Sequence, residues 1–119
     1  MILTGKAKKE FLVFLRTFIQ EKIAYPNEIT LDEDISYFYK YPFNMQFAVY
    51  QDFFATKEIY VCLNFYREFG ENEFTRGFDI YFIGSCYCGG VESNDIKILR
   101  KQSIKKAGEI YNTEKAYNS

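Results

Sequence analysis

The first part of the chain carries apolar residues at helical spacing. Between residue 4 and about residue 24 they recur every three or four positions, which is typical of one buried face of a helix. These apolar positions are Ala7, Phe11, Phe14, Leu15, Phe18 and Ile19. Thr4 can cap the helix, and Pro26 ends it. Leu12 and Val13 lie outside the apolar face, so the helix is either covered on more than one side or contributes to a self-association surface.

The next stretch, residues 26–43, has no regular period, and a connecting loop with at most one short helical turn is predicted there. The run 44–55 is ambiguous between helix and strand. A period near 3.6 fits it better than strict alternation, so we predict a second, shorter helix with Asn44 as its cap. The residues that fit this period are Met45, Ala48, Val49, Asp52 and Phe53.

Two later stretches alternate between two sets of positions, as half-buried strands do. They cover residues 59–66 and 74–83, and the polar segment between them carries Gly70, as expected of a hairpin connection. Whether residues 85–91, beside the turn at Gly89 and Gly90, add a short third strand is left open by the pattern.

The last element, about residues 94–111, is predicted to be a helix with Asn94 at its start. Its narrow apolar face consists of Ile96, Leu99, Ser103, Ala107 and Ile110. Residues after Asn112 are expected to be frayed. The order of elements predicts an α+β fold with two N-terminal helices, an antiparallel sheet of two to three strands, and a C-terminal helix packed on one face of the sheet.

Composition indicates a single domain over residues 1–119. Hydrophobic residues make up 48% and charged residues 26% of the 119 residues, which is an ordinary globular composition in a chain too short for two cores. The longest apolar stretch near the start is interrupted by Arg16 and Thr17, so it does not span a bilayer. No signal peptide is recognised. We therefore expect a cytoplasmic protein with no membrane partner.

Histidine is absent, which removes the commonest general base and metal ligand. We expect no catalytic site, no metal and no cofactor, and hence no enzyme. The most tempting motif is Cys86-Tyr-Cys88, to which Cys62 on a neighbouring strand could add a third thiolate, but structural zinc sites normally use four ligands. The favoured interpretation is that these cysteines pack as small hydrophobic residues.

The last helix is distinctly basic. Lys97, Lys101 and Lys105 recur every four residues and form one line on its surface, which can contact the phosphates of a nucleic acid or another anionic partner. A formal net charge of -1 gives no overall attraction to nucleic acid. A solvent-facing helix is therefore the favoured interpretation, and nucleic-acid binding is the alternative.

Aromatic residues make up 20% of the chain. Their rings can fill a core, but the many tyrosines suggest that some lie at the surface. Four of them cluster in the predicted loop, namely Tyr37, Phe38, Tyr39 and Tyr41. Aromatic side chains dominate binding energy at interfaces. The cluster is therefore either a protein-binding or homodimer surface, or a loop whose rings seal the core.

Residues 3–11, 45–54, 59–61 and 105–112 carry a family resemblance. They resemble a group of short uncharacterised proteins encoded in gut bacteria and in their prophages or mobile elements. The resemblance implies a small accessory protein and carries no known activity, so no functional residue is transferred. Gly108 departs from the family pattern, and it either weakens the helix or allows close packing.

Taken together, these patterns favour a non-enzymatic interaction protein that self-associates or binds another protein through its aromatic surface. The alternative is a small nucleic-acid-binding protein that uses the basic C-terminal helix. An enzyme that works with carboxylates, lysine or cysteine is a third and less favoured class.

Overall fold

The computed structural model describes residues 2–23, 35–67, 74–82, 87–93 and 95–118. The elements, in chain order, are α1 (Gly5–Ile23), α2 (Phe43–Thr56), β1 (Ile59–Arg67), β2 (Phe74–Phe82), β3 (Tyr87–Ser93) and α3 (Ile96–Asn118). A short helical turn over residues 35–38 precedes α2. The predicted mixture of helices and strands is confirmed. The expected hairpin connection at Gly70 lies outside the described residues.

The three strands form an antiparallel sheet in the order β1-β2-β3. Ile80 of β2 pairs with Val61 of β1, and both residues are buried. Along β1, Ile59 is buried while Tyr60 and Cys62 are exposed, as the alternating pattern predicts. Gln51 of α2 donates a hydrogen bond from Nε2 to the carbonyl oxygen of Val61 at 2.9 Å, which fixes α2 to this edge strand.

The core is an aromatic cluster in which Phe11 of α1 meets two rings of α2. The centroid of Phe11 lies 4.5 Å from that of Tyr50 in a stacked arrangement, and 5.3 Å from that of Phe53 at an interplanar angle of 82°. Such aromatic pairs each contribute about 0.5–1.5 kcal/mol beyond the burial of their area. The apolar face predicted for α1 is confirmed, since Ala7, Phe11, Leu15 and Ile19 are buried and Phe14 and Phe18 are half-buried.

The second predicted helix is confirmed, but the face marked by its period is only partly right, since Phe53 is buried and Val49 is half-buried. The buried residues of α2 are Gln46, Phe47, Tyr50, Phe53 and Phe54, whereas Met45, Ala48 and Asp52 are exposed. Apolar side chains occur on most sides of this helix, so periodicity alone does not identify the side that faces the core. Asn44 is not the cap, because the helix begins at Phe43 after Pro42 and no side-chain hydrogen bond caps it.

Helix α3 differs from its prediction at both ends. Asp95 caps it, because its Oδ1 accepts the backbone N–H of Lys97 at 2.9 Å; Asn94 lies outside the described residues. The helix continues to Asn118, so the expectation of frayed residues after Asn112 is wrong.

The N-terminus of α1 is capped by a side chain from the other end of the chain. Asn112 Oδ1 accepts the N–H of Ala7 at 2.8 Å, and Asn112 Nδ2 donates to the carbonyl oxygen of Thr4 at 2.9 Å. The prediction that the Thr4 side chain caps this helix is therefore wrong. Gly5 adopts a φ of +57°, a conformation that side-chain-bearing residues rarely adopt.

Gly108 allows α3 to approach the start of the chain closely. A Cβ atom at this position would lie 2.8 Å from Cδ2 of the buried Leu3, which is well inside van der Waals contact. Of the two explanations for this glycine, close packing is the one that the structure supports.

We predict that Asn112→Ala lowers the free energy of unfolding by about 1 kcal/mol, because the N–H of Ala7 loses its acceptor. Urea denaturation measures this change. Thr4→Ala is the matched control and should change stability far less, because Thr4 contributes only its backbone oxygen. A larger loss in Thr4→Ala than in Asn112→Ala would contradict this account of the cap.

Candidate functional site

An apolar groove lies between α1, the helical turn over residues 35–38 and the first half of α2. Its volume is about 260 Å³. The residues that line it, which define the aromatic groove, are Leu15, Phe18, Ile19, Tyr37, Phe38, Tyr41, Met45 and Val49. None of these side chains carries a charge at neutral pH. The groove can therefore accept apolar groups without desolvating a charge of its own.

The four aromatic residues singled out from the sequence divide into two roles. Tyr37 and Tyr41 are 55% and 52% exposed and line the aromatic groove. Phe38 is buried, with its ring centroid 5.8 Å from that of Phe11, so this residue belongs to the core. Tyr39 is partly exposed and meets the Phe38 ring edge-on at 5.1 Å. The packing interpretation thus applies to Phe38, whereas Tyr37 and Tyr41 are exposed and their role as a binding surface stays a prediction.

A buried glutamine of α2 holds residues 37–41, the tyrosine segment, against this helix. Gln46 Nε2 donates to the carbonyl oxygens of Tyr41 at 2.8 Å and Tyr39 at 3.3 Å. Within the segment, the N–H of Lys40 donates to the carbonyl oxygen of Tyr37 at 2.9 Å. Sequence reasoning missed Gln46, although its spacing of four residues from Tyr50 places both on one side of the helix.

Met45 lines the groove, which its place in the helical period did not predict. It was grouped with Phe53 on one face of α2, but it is 54% exposed and lines the groove beside Val49. Its flexible thioether side chain suits a surface that adapts to a partner.

Two tyrosine hydroxyl groups whose rings contact Phe38 have raised pKa values. Burial raises the pKa of the Tyr39 hydroxyl. Burial, and secondarily the nearby Tyr39, raise the pKa of Tyr50 well above its ordinary value. At the rim, the ammonium group of Lys40 lies 4.9 Å from the centroid of the Tyr37 ring, a cation–π contact. The lining of the groove is thus suited to binding apolar groups.

The predicted basic line is brought together on one exposed face of α3. Lys97, Lys101 and Lys105 are all exposed. Lys97 and Lys101 line one concave surface together with Arg100, and Lys101 and Lys105 line a second one with Thr4. The sequence did not indicate that the start of α2 closes the first of these surfaces.

A polar cluster ties the three helices together on the other side of the core. The hydroxyl of Tyr111 donates to Glu10 Oε2, and Lys57 Nζ lies 3.9 Å from the same oxygen. Burial, and then the hydrogen bond and charge of Glu10, raise the pKa of Tyr111 well above its ordinary value. Sequence reasoning missed this cluster because its members are separated by up to 101 positions.

The cysteines are not arranged as the three-thiolate hypothesis requires. Cys62 is exposed on β1, and β2 separates this strand from β3. Across two strand spacings the backbones are roughly 10 Å apart, so the expectation that Cys62 lies on a strand next to Cys88 is wrong. Cys86 lies outside the described residues. In the described part of the chain, no three His, Cys, Asp or Glu residues form a group that could hold a metal ion.

In the described ranges, no helix has the length and apolar content that crossing a membrane requires. Comparison with protein-family models, with curated proteins and with solved structures gives no match for this chain. The relationship to short proteins of gut bacteria and mobile elements therefore stays a prediction.

We predict that Gln46→Leu speeds amide hydrogen exchange at Lys40 and Tyr41 by about tenfold, because the loss of its two hydrogen bonds to Tyr39 and Tyr41 loosens the turn. Hydrogen exchange followed by NMR measures this. Gln51→Leu is the matched control, since its hydrogen bond lies at the other end of α2. Equal acceleration in both variants would show that Gln46 has no special role in holding the tyrosine segment.

We also predict that the protein loses stability at alkaline pH. The folded state holds the protons of Tyr50 and Tyr111 more tightly than the unfolded chain, whose tyrosines titrate near 10.0. Their contribution is therefore complete below pH 10 and is lost as the pH rises above it. Urea denaturation across this range should show a smaller alkaline loss for Tyr111→Phe than for the wild type. An identical pH dependence would rule out a contribution from Tyr111.

Proposed function

We propose that this chain is a non-enzymatic interaction protein and that the aromatic groove is its binding surface. The occupant to which we commit is a second copy of the same chain. The observation that carries the proposal is an uncharged groove whose own lining includes three half-exposed apolar side chains, Tyr37, Tyr41 and Met45.

Self-complementarity supports the choice of a second copy. A two-fold interface brings the same patch of both copies together, so the patch must supply both a cavity and the side chains that fill it. The aromatic groove supplies both, because Tyr41 and Met45 line the cavity and also stand half out of it. Its volume of about 260 Å³ is below the roughly 300–1,000 Å³ of small-molecule sites and suits one or two inserted side chains.

Charge also permits self-association. The formal net charge is -1, so two copies repel each other little at long range. A stable interface buries about 800 Å² on each partner, which is more than a groove of this size offers. The dimer must therefore also bury surface of α1 and α2 that flanks the groove.

The proposal includes the predicted layout in which the helices cover one face of the sheet. Its support is that α3 contacts all three strands while α2 contacts β1, and that Tyr60 and Cys62 on the alternate side of β1 are exposed. In this layout the aromatic groove belongs to the helical layer, away from the sheet edge.

Nucleic-acid binding through Lys97, Lys101 and Lys105 is the second candidate. It is favoured by one observation, that the three exposed ammonium groups border two adjoining concave surfaces that share Lys101. Binding of this kind weakens steeply with salt because phosphate contacts release counterions. It does not depend on the aromatic groove.

We predict that the wild-type protein forms a dimer whose mass does not fall when the salt concentration is raised, and that Met45→Asp is monomeric. A carboxylate in the groove would be desolvated by a partner, whereas in the monomer it stays in water and leaves the core intact. Light scattering over a range of concentrations measures the mass. Two matched controls are available, because Ile98 on α3 and Val13 on α1 are also exposed apolar residues outside the groove.

Ile98→Asp and Val13→Asp should remain dimeric. Loss of the dimer in Val13→Asp but not in Met45→Asp would move the interface to the outward side of α1. A wild-type monomer at the highest soluble concentration would overturn self-association altogether.

A further inference from the structure

A second concave surface lies between the start of α2 and the first two turns of α3, and it differs in chemistry from the aromatic groove. Its volume is about 390 Å³, within the range of small-molecule sites. The residues that line it, which define the basic pocket, are Pro42, Phe43, Asn44, Ile96, Lys97, Arg100 and Lys101. Three of the seven are cations, and none is a carboxylate.

Two of the three cations of the basic pocket contact aromatic rings. Arg100 Cζ lies 6.0 Å from the centroid of Phe47, and Lys101 Nζ lies 5.8 Å from that of Phe43. Within the described ranges, no carboxylate oxygen lies within 4.0 Å of these two side chains or of Lys97. Cation–π contacts orient a charge without cancelling it, so the pocket keeps its positive potential.

The nearest carboxylate along α3 is already engaged. Asp95 Oδ1 accepts the backbone N–H groups of Lys97 at 2.9 Å and Ile98 at 3.4 Å, and so neutralises part of the field at the start of α3. Together with Asp95, the three cations that line the pocket carry a formal charge of +2. The first turn of α2 contains no acidic residue, so the positive end of this helix adds to the same field.

The apolar side of the pocket narrows the choice of ligand. Pro42, Ile96 and the half-buried ring of Phe43 form a wall beside the cations. Inorganic phosphate would use the cations and leave this wall in water. A phosphate ester that carries a flat ring would use both, since aromatic side chains stack on nucleobases.

We propose that the basic pocket binds a nucleotide, with Lys97, Arg100 and Lys101 around the phosphate and Phe43 beside the base. This inference deepens the second candidate function and rests on it only where the nucleotide is part of a nucleic-acid strand. Because Lys101 also borders the concave surface that contains Lys105, an adjoining phosphate of a single strand would meet Lys105. A free nucleotide would not reach it.

The test is a titration of the full-length protein with adenosine monophosphate, inorganic phosphate and a single-stranded oligonucleotide, followed by NMR chemical shifts at low salt. We expect adenosine monophosphate to bind more tightly than phosphate and to shift signals of Phe43. Lys101→Glu should weaken nucleotide binding by about tenfold or more, as the loss of a charge-assisted contact does. Lys8→Glu is the matched control, because Lys8 is equally exposed on α1.

Lys105→Glu separates the two sources of the nucleotide, since it should weaken oligonucleotide binding and leave the mononucleotide unaffected. Equal nucleotide affinity in Lys101→Glu and Lys8→Glu, or equal affinity of phosphate and adenosine monophosphate, would overturn the basic pocket as a nucleotide site. Oligonucleotide binding that depends on Lys105 without any mononucleotide binding would overturn the pocket while leaving the second candidate function in place. Absence of binding by all three probes would overturn both.

Discussion

The packing of α1 against α2 depends on the contact between Phe11 and two rings of α2, those of Tyr50 and Phe53. With centroids 4.5 Å from Tyr50 and 5.3 Å from Phe53, this side chain packs against the side of α2 that faces inward. Truncating a core phenylalanine costs about 3–5 kcal/mol, a large part of the stability of a small domain. With this side of α2 facing the core, Met45 is exposed and Gln46 is buried.

The groove follows from that contact. Phe38 packs against Phe11 at 5.8 Å and brings the tyrosine segment down onto the core, while Gln46 satisfies two of its carbonyl oxygens. Tyr37 and Tyr41, on either side of the buried ring, are left facing outward. A loop sealed over the core by one buried ring thus leaves its neighbouring tyrosine rings exposed beside the groove.

The sequence pattern predicted the elements in which neighbouring residues alone mark the buried side. The buried face of α1 and the alternation of Ile59 and Val61 in β1 could be predicted because polar residues mark their outer sides. The inner face of α2 could not, because its apolar residues surround the helix. The cap of α1 by Asn112 and the cluster of Glu10 with Tyr111 join residues more than a hundred positions apart, so no local pattern could reveal them. For the candidate site, the sequence identified the exposed Tyr37 and Tyr41 but missed the groove beside them.

The most direct test of the central claim is an isotope-filtered NOE experiment on a mixture of unlabelled protein and protein labelled with ¹³C at its methionine methyl groups. The chain contains only two methionines, Met1 and Met45, so the Met45 signal can be assigned without ambiguity. Our account predicts NOEs from the labelled Met45 methyl group to tyrosine ring protons of the unlabelled copy. A dimeric sample in which the Met45 methyl group shows no contact with the other copy would contradict the claim that the aromatic groove is the interface.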